Sequence, residues 1–170
     1  MQYADPSLSF GTQHSSLKSR AFALSQTAGR AHETLSPAVD LLIRRVVASV
    51  FFQSGLTKIA SWSSTVSLFE NVYAVPLLPP ELAALLGTGV ELGMPVLLLF
   101  GFGARFAALV LFVFNIIAVL SYPDLGEVGL RDHQMWGLLL LVTLLHGPGP
   151  LSIDDWIGRR WPGRHGGTRV

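Results

Sequence analysis

One ionisable residue, Glu91, stands in the middle of the apolar run Leu82–Phe100, which contains no other charged residue. A carboxyl group at membrane depth is costly unless it is paired or faces water, so such a residue is by default a candidate for function. Lys58, near the end of another apolar stretch, is a cation that could pair with it. Two interpretations stay open: an ion pair that fixes helix register, or part of a binding or proton-transfer site.

Four other polar side chains lie within or at the ends of apolar stretches: Arg44, Gln53, Asn115 and His133. His133 follows Asp132 and belongs to a residue type that titrates near neutral pH, so it suits either proton transfer or interfacial anchoring. Asn115 suits either an interhelical hydrogen bond or a ligand contact. Helical spacing of three and four predicts that Lys58, Glu91, Asn115 and His133 turn inward and line one polar cavity.

Several kinds of chemistry are excluded by composition. The chain has no cysteine, which rules out disulfides, thiolate nucleophiles and iron–sulfur ligation. His133 and His146 are the histidines of the apolar stretches and lie about 20 Å apart on one helix, so we expect no haem and no metal site. A formal net charge of +1 gives no basic field for nucleic acid.

The elements that position these residues are predicted to be membrane helices. Half of the residues are hydrophobic, 14% are charged, and the mean hydropathy is +0.48. Four continuous apolar stretches approach the length of about 20 residues that a bilayer requires. They are Val39–Ala60, Leu82–Phe100, Ala104–Ser121 and Val128–His146. We therefore expect an all-α integral membrane four-helix bundle in residues 38–150, because a β-barrel would need alternating polar and apolar residues.

Basic residues predict the orientation of the bundle. Ten of the twelve Lys and Arg residues precede the first stretch or open it, lie in the 101–105 turn, or follow the fourth stretch. The positive-inside rule then places both termini and the 101–105 turn in the cytoplasm. Residues 1–37 have few large apolar residues and little periodicity, and are predicted to form a disordered cytoplasmic tail. Residues 151–170 are predicted to form an amphipathic, basic tail with a short interfacial helix, capped by a Ser152-x-x-Asp155 pattern.

The two remaining loops and one pair of glycines give two further predictions. Residues 61–81 and 122–131 are interpreted as outer loops whose aromatic residues lie at the membrane interface: Trp62, Phe69, Tyr73 and Tyr122. Gly89 and Gly93 form a Gly-x-x-x-Gly pair nearly opposite Glu91 on the helix. This pair suits either close packing within the chain or the interface of a homo-oligomer.

The chain contains a series of short motifs in a fixed order. They are Arg44 with Phe51, Phe52, Gly55 and Lys58, then Phe69, Tyr73-Ala-Val-Pro76, Leu78-Pro-Pro80-Glu81-Leu-Ala-Ala84, Glu91-Leu-Gly-Met-Pro95, Gly101-Phe-Gly-Ala-Arg105, His133-x-x-Trp136-Gly137 and His146-Gly-Pro-Gly-Pro-Leu-Ser152-Ile-Asp154. In this order and spacing, the motifs resemble those of the DoxX family of small bacterial inner-membrane proteins over about residues 40–158. The resemblance implies a four-helix membrane protein that works with redox or stress enzymes. It marks Arg44, Lys58, Glu91, Arg105 and His133 as motif positions without assigning their roles.

The first functional hypothesis is a membrane subunit of a redox system that binds a quinone in the outer half of the bundle. Glu91 and His133 would move protons, and Lys58 would polarise a carbonyl, because a quinone needs hydrogen-bond donors beside an apolar slot. Further contacts are assigned to Gln53, Asn115, Arg44 and Tyr73. The alternatives are a non-catalytic anchor for a soluble redox, stress or metal-handling partner, and a small oligomeric transporter. The chain itself carries no catalytic signature.

Overall fold

The computed structural model describes residues 36–73, 75 and 77–160, and in this part of the chain all regular structure is helical. All contacts discussed below lie in the unit that begins at Pro37. The helices are α1 (36–60), α2 (Trp62–Asn71), α3 (Pro80–Phe100), α4 (Ala104–Ser121), α5 (Gly126–His146) and α6 (Ile153–Arg160). The predicted disordered tail falls outside the described residues except for 36 and 37, which are helical. The end of the predicted basic tail, 161–170, also falls outside them.

Helices α1, α3, α4 and α5 are the four helices predicted from the apolar stretches, and they share one hydrophobic core. Its buried members are Val47, Ala48, Phe51, Leu98, Ala107, Ala108, Leu111 and Leu140. The Phe51 ring packs edge-on against Phe114 of α4 and Trp136 of α5, at centroid distances of 6.3 and 6.1 Å. The inward faces predicted from helical spacing are confirmed for α3, where Gly87, Glu91 and Leu98 are all buried.

Helix α1 lies close against α3 at Gly55. A Cβ atom at this position would stand 2.8 Å from the Leu92 side chain and 3.2 Å from the Glu91 carbonyl carbon. Only glycine allows the two helix backbones to come this near. Gly55 therefore sets the spacing that brings Lys58, one turn later on α1, within reach of Glu91.

The structure corrects the prediction that residues 61–81 are a loop, since ten of them form α2. This helix is rich in serine and threonine, which have weak helix propensity. Tertiary contacts hold it in place: Thr65 is buried, and its Oγ1 donates a 2.9 Å hydrogen bond to the Lys58 carbonyl. The predicted interfacial aromatic residue Phe69 thus comes from a helix, and its position over α3 is defined.

The opposite end of the bundle is fastened by polar contacts around the turn between α3 and α4. The buried Arg44 guanidinium donates to the carbonyls of Leu99 at 3.2 Å and Leu151 at 2.5 Å. The Asp154 carboxylate accepts from the backbone N–H groups of Gly103 and Ala104, at 2.8 and 2.9 Å, and so caps the start of α4. This end of the bundle is therefore tied to the start of α6.

The expected capping of α6 is also observed. The Asp155 amide donates to Ser152 Oγ at 3.2 Å, as the Ser-x-x-Asp pattern predicts. The apolar Trp156 side chain is 60% exposed. The basic residues Arg159 and Arg160 lie in the last turn of the helix.

Two of the described helices, α3 and α4, are long and apolar enough to cross a membrane. Many of their outward-facing side chains are exposed leucine, valine or phenylalanine residues, including Leu85, Phe106 and Leu120. Helix α1 carries charged residues at both ends, and α5 has Glu127, Arg131 and Asp132 in its first two turns. These charges lower the apolar character of α1 and α5 relative to α3 and α4.

Candidate functional site

The Lys58–Glu91 pair predicted from the sequence is formed, and it is mostly buried. Lys58 Nζ lies 2.6 Å from Glu91 Oε2 and 2.8 Å from Oε1, while the two side chains are only 17% and 6% exposed. Ser54 completes a triangle: its Oγ accepts from Lys58 Nζ at 2.9 Å and donates to Glu91 Oε1 at 3.1 Å. The Lys58 ammonium therefore donates two hydrogen bonds, and Glu91 Oε2 is buried beside it without a hydrogen bond of its own among the described residues.

This pair forms part of the wall of a cavity of about 290 Å³ between α1, α3, α4 and the segments that join the helices. The cavity lies toward the C-terminal end of α1 and the N-terminal half of α3, away from Arg44. Its wall is mainly apolar, with Phe69, Val90 and Phe114 among the contributors. The polar side chains at the wall are Ser54, Lys58, Tyr73, Glu91, Ser121, Tyr122 and His133.

Three aromatic rings pack edge to face in a row along one side of this cavity. Tyr73 packs edge-on against Phe69 and Tyr122, with ring centroids 5.0 and 5.3 Å apart. Burial raises the pKa of Tyr73, and the nearby Tyr122 and Glu91 raise it further. The Tyr73 phenol therefore remains protonated at neutral pH and is available as a hydrogen-bond donor.

His133 is held by Asn115 of the neighbouring helix α4. Asn115 Nδ2 donates to the His133 backbone carbonyl at 2.9 Å, and Asn115 Oδ1 lies 2.8 Å from His133 Nδ1. The His133 ring also packs edge-on against Trp136, with centroids 4.8 Å apart. The imidazole thus has a fixed position at the wall of the cavity.

Ser121, the last residue of α4, adds a polar group without a partner. Its side chain is 3% exposed, it lines the cavity, and its Oγ has no hydrogen-bond partner among the described residues. A buried hydroxyl without a partner costs free energy in a folded protein. Ser121 therefore offers a donor and an acceptor to a molecule inside the cavity.

The structure separates the sequence-predicted residues into two groups. Lys58, Glu91, His133 and Tyr73 line the cavity. Asn115 does not line it and acts through His133 instead; its own side chain borders a second, open groove between α4 and α5.

Arg44 and Gln53 do not reach the cavity, so their assignment to it needs correction. Arg44 shares a helix face with Lys58 but lies about 21 Å further along α1, where its guanidinium contacts the C-terminal end of α3. Gln53 is exposed, because it is turned about 140° around α1 from Lys58.

Sequence analysis missed two polar members of the cavity wall, Ser54 and Ser121. Ser54 lies one turn before Lys58, so its spacing was a usable signal. Ser121 is outside the inward face that contains Asn115, and a serine at a helix end is too common to be singled out. Both became candidates only when the helices were assembled.

The comparisons with known proteins bear on the segment that builds most of this cavity. The DoxX family model matches residues 39–123, which include α1, α3 and α4. The chain belongs to the DoxX family. A similar sequence is an uncharacterised protein of Haemophilus influenzae, 30% identical over 131 residues, which cover 72% of this chain and 85% of that protein. No solved structure matches the chain.

DoxX membership and the two long apolar helices make this chain a membrane protein. The exposed apolar side chains of α3 and α4 are then in contact with lipid. In this DoxX protein, α3 supplies Glu91 of the buried ion pair, and both α3 and α4 supply residues of the cavity wall.

Proposed function

We propose that this DoxX protein is a multi-pass inner-membrane subunit that binds a quinone-type ring in the Lys58–Glu91 cavity and serves a redox partner. The observation that carries the proposal is a buried ion pair at the wall of a mostly apolar cavity. An ionisable pair kept inside a membrane helix bundle is costly and typically marks a functional pathway or ligand site.

The cavity fits one ring of such a molecule. Its volume of about 290 Å³ is near the lower limit of small-molecule sites, so a longer lipid tail would have to leave between the helices. The unpartnered Ser121 hydroxyl and the protonated Tyr73 phenol supply hydrogen bonds to ring oxygens. A quinone, when bound, supplies two-electron chemistry coupled to protons, which the side chains of this chain lack.

The chain's own residues have separable tasks in this proposal. Glu91 and His133 are the groups that hold or move protons. The edge-to-face rings of Phe69, Tyr73 and Tyr122 keep water away from them. Lys58 pairs with the Glu91 carboxylate at the wall of the cavity. In this proposal electrons come from a partner protein; the chain has no cysteine, and its described part has no group of three or more His, Asp or Glu side chains that could hold a metal ion.

The proposed topology has four spans, with both termini in the cytoplasm. In that arrangement the Arg44–Asp154 end faces the cytoplasm and the cavity lies in the outer half of the membrane. The distribution of Lys and Arg residues supports this orientation.

Binding of a short-chain quinone to purified protein in lipid nanodiscs tests the proposal. We expect Glu91→Gln to weaken binding by at least about tenfold, because the carboxylate, the ammonium and the cavity wall rearrange together. Glu81→Gln is the matched control, since Glu81 is exposed at the start of the same helix. Equal affinity in all three proteins would show that Glu91 is a structural ion pair.

A non-catalytic anchor is the second candidate, and α6 is the feature that favours it. The exposed Trp156 ring carries Arg160 above it at 5.4 Å, which forms an aromatic and cationic surface on a short helix. If this function is right, Trp156→Ala would reduce co-purification of a partner while Glu91→Gln has no effect.

A further inference from the structure

We infer that the cavity recognises the reduced, hydroxyl-bearing form of its ring ligand, a quinol, through His133 Nε2, and that Asn115 is the residue that makes Nε2 an acceptor. This inference rests on the proposed function and specifies its ligand.

The first step concerns the orientation of the Asn115 amide. The His133 backbone carbonyl can only accept a hydrogen bond, so the Asn115 group 2.9 Å from it must be the NH₂ group. The amide oxygen is then the atom that lies 2.8 Å from His133 Nδ1. The reverse orientation would set two carbonyl oxygens against each other.

The second step follows from the amide oxygen being an acceptor only. His133 Nδ1 must carry a hydrogen to bond with it, in the neutral and in the charged imidazole alike. The neutral ring therefore has its lone pair on Nε2. Among the described residues no side chain donates a hydrogen bond to this nitrogen, and His133 lies between the cavity and the open groove of α4 and α5, lining both.

The third step compares the donors and acceptors that remain for a ligand. The Lys58 ammonium donates hydrogen bonds to Ser54 Oγ and Glu91 Oε1, while Glu91 Oε2, 2.6 Å from Nζ, is buried and has no hydrogen-bond partner among the described residues. Glu91 and His133 Nε2 are acceptors only, whereas the hydroxyls of the cavity wall can do either. The polar wall therefore has more acceptors than donors. A ligand with hydroxyl groups satisfies it better than one with carbonyl oxygens, because an unmatched acceptor loses its hydrogen bond on burial.

The tautomer is tested by ¹⁵N NMR of histidine-labelled protein at a pH where His133 is neutral, with His133→Gln used to assign its signal. We expect the Nδ1–H form in the wild-type protein and in Asn115→Asp, whose carboxylate also accepts from Nδ1. In Asn115→Leu we expect a shift to the Nε2–H form, which the free side chain prefers. Nε2–H in the wild-type protein would overturn the inference even if the variants fail to fold.

Ligand choice is tested by calorimetry in nanodiscs under anaerobic conditions, with a short-chain benzoquinol, its dimethyl ether and the corresponding quinone. We expect the quinol to bind roughly tenfold more tightly than the ether or the quinone, and Asn115→Leu to remove most of this preference. Equal binding of quinol and quinone would overturn the inference and leave the proposed function intact. Failure of all three to bind would overturn both, whatever tautomer is found.

Discussion

At the residue scale, the central feature is that Lys58 and Glu91 neutralise each other inside the bundle and are joined by a serine. A buried pair of this kind costs about as much to desolvate as it gains by attraction, so its net contribution to stability is small. Removing one partner is different, because it leaves an uncompensated charge. The pair is therefore best tested by removing both members together.

The two single variants Lys58→Met and Glu91→Leu are expected to lower the stability of the protein, and the double variant to recover much of the loss. Breaking a buried pair costs about 3–5 kcal/mol, and the 17% exposure of Lys58 places the loss at the lower end. Thermal unfolding in detergent measures this cycle. Additive losses in the double variant would contradict the coupling.

Tyr73 gives a prediction for alkaline pH. Its folded-state pKa lies above the ordinary value of 10.0, so the neutral phenol is favoured in the folded protein. The stability this provides is present below pH 10 and is lost as the pH rises through the folded-state pKa. Tyrosine ionisation is followed by the absorbance of the phenolate during a pH titration. The part of the absorbance change that is lost in Tyr73→Phe belongs to Tyr73, and its midpoint should therefore lie above pH 10. In the protein unfolded by denaturant, the same step should return to about pH 10.

The polar residues show what the sequence can reveal about a membrane site. Lys58, Glu91 and His133 were found because an ionisable group among apolar residues stands out. Arg44 was placed wrongly because helical spacing gives the face of a helix, whereas depth follows from counting the rise per residue. Ser54 and Ser121 carry no such signal, since serine is tolerated on any face.

At the element scale, the turn between α3 and α4 holds the arginine end of the bundle together. Gly101 ends α3 with a φ of 67°, and a Cβ atom there would collide with Ser152 and with the Arg44 guanidinium. Gly103 has a similar φ of 57°, but no atom lies within 4 Å of its Cβ position. A side chain at Gly103 would therefore introduce backbone strain alone, whereas a side chain at Gly101 would introduce both backbone strain and steric collisions.

We expect Gly103→Ala to cost about 1–2 kcal/mol, the price of a left-handed conformation in a residue with a Cβ. Gly101→Ala should cost clearly more, because the new methyl group displaces Arg44 or Ser152 as well. Thermal unfolding of the two variants measures the difference. Equal losses would mean that the contacts around Arg44 adjust without cost.

The helices differ in how well they can be predicted from their sequences. The four long helices were predicted nearly to the residue because continuous apolar runs have few other solutions in a membrane. Helix α2 was missed because its Ser-Ser-Thr-Val-Ser sequence favours no regular structure by itself. Its contacts with α1 and α3 decide its conformation, and these are absent from any local pattern.

At the scale of the whole molecule, the proposed orientation predicts which side of the membrane each end of the protein faces. The absence of cysteine makes the chain suited to labelling with a membrane-impermeant maleimide. Asp124→Cys, between α4 and α5, should react in intact spheroplasts, whereas Gly158→Cys on α6 should react only after permeabilisation. Both residues are exposed in the structure, so a reversed pattern would contradict the proposed orientation directly.

The Gly89–Gly93 pair also belongs to this scale. Packing within the chain does not involve these glycines, since neither has any described atom within 4 Å of its Cβ position. They lie on the outer face of α3, away from Glu91. A contact with a second copy of the chain stays a prediction, and lipid is the other neighbour this face can have.

The ion pair between α1 and α3 also bears on how the protein is made. A lone charged residue at the centre of a helix opposes its release from the insertion machinery by about 2.5–3.5 kcal/mol. Glu91 reaches the membrane 33 residues after Lys58, once α1 and α2 have already been synthesised. We therefore expect α1 to wait beside the translocation channel until α3 arrives, so that the two helices enter lipid as one electrically neutral hairpin.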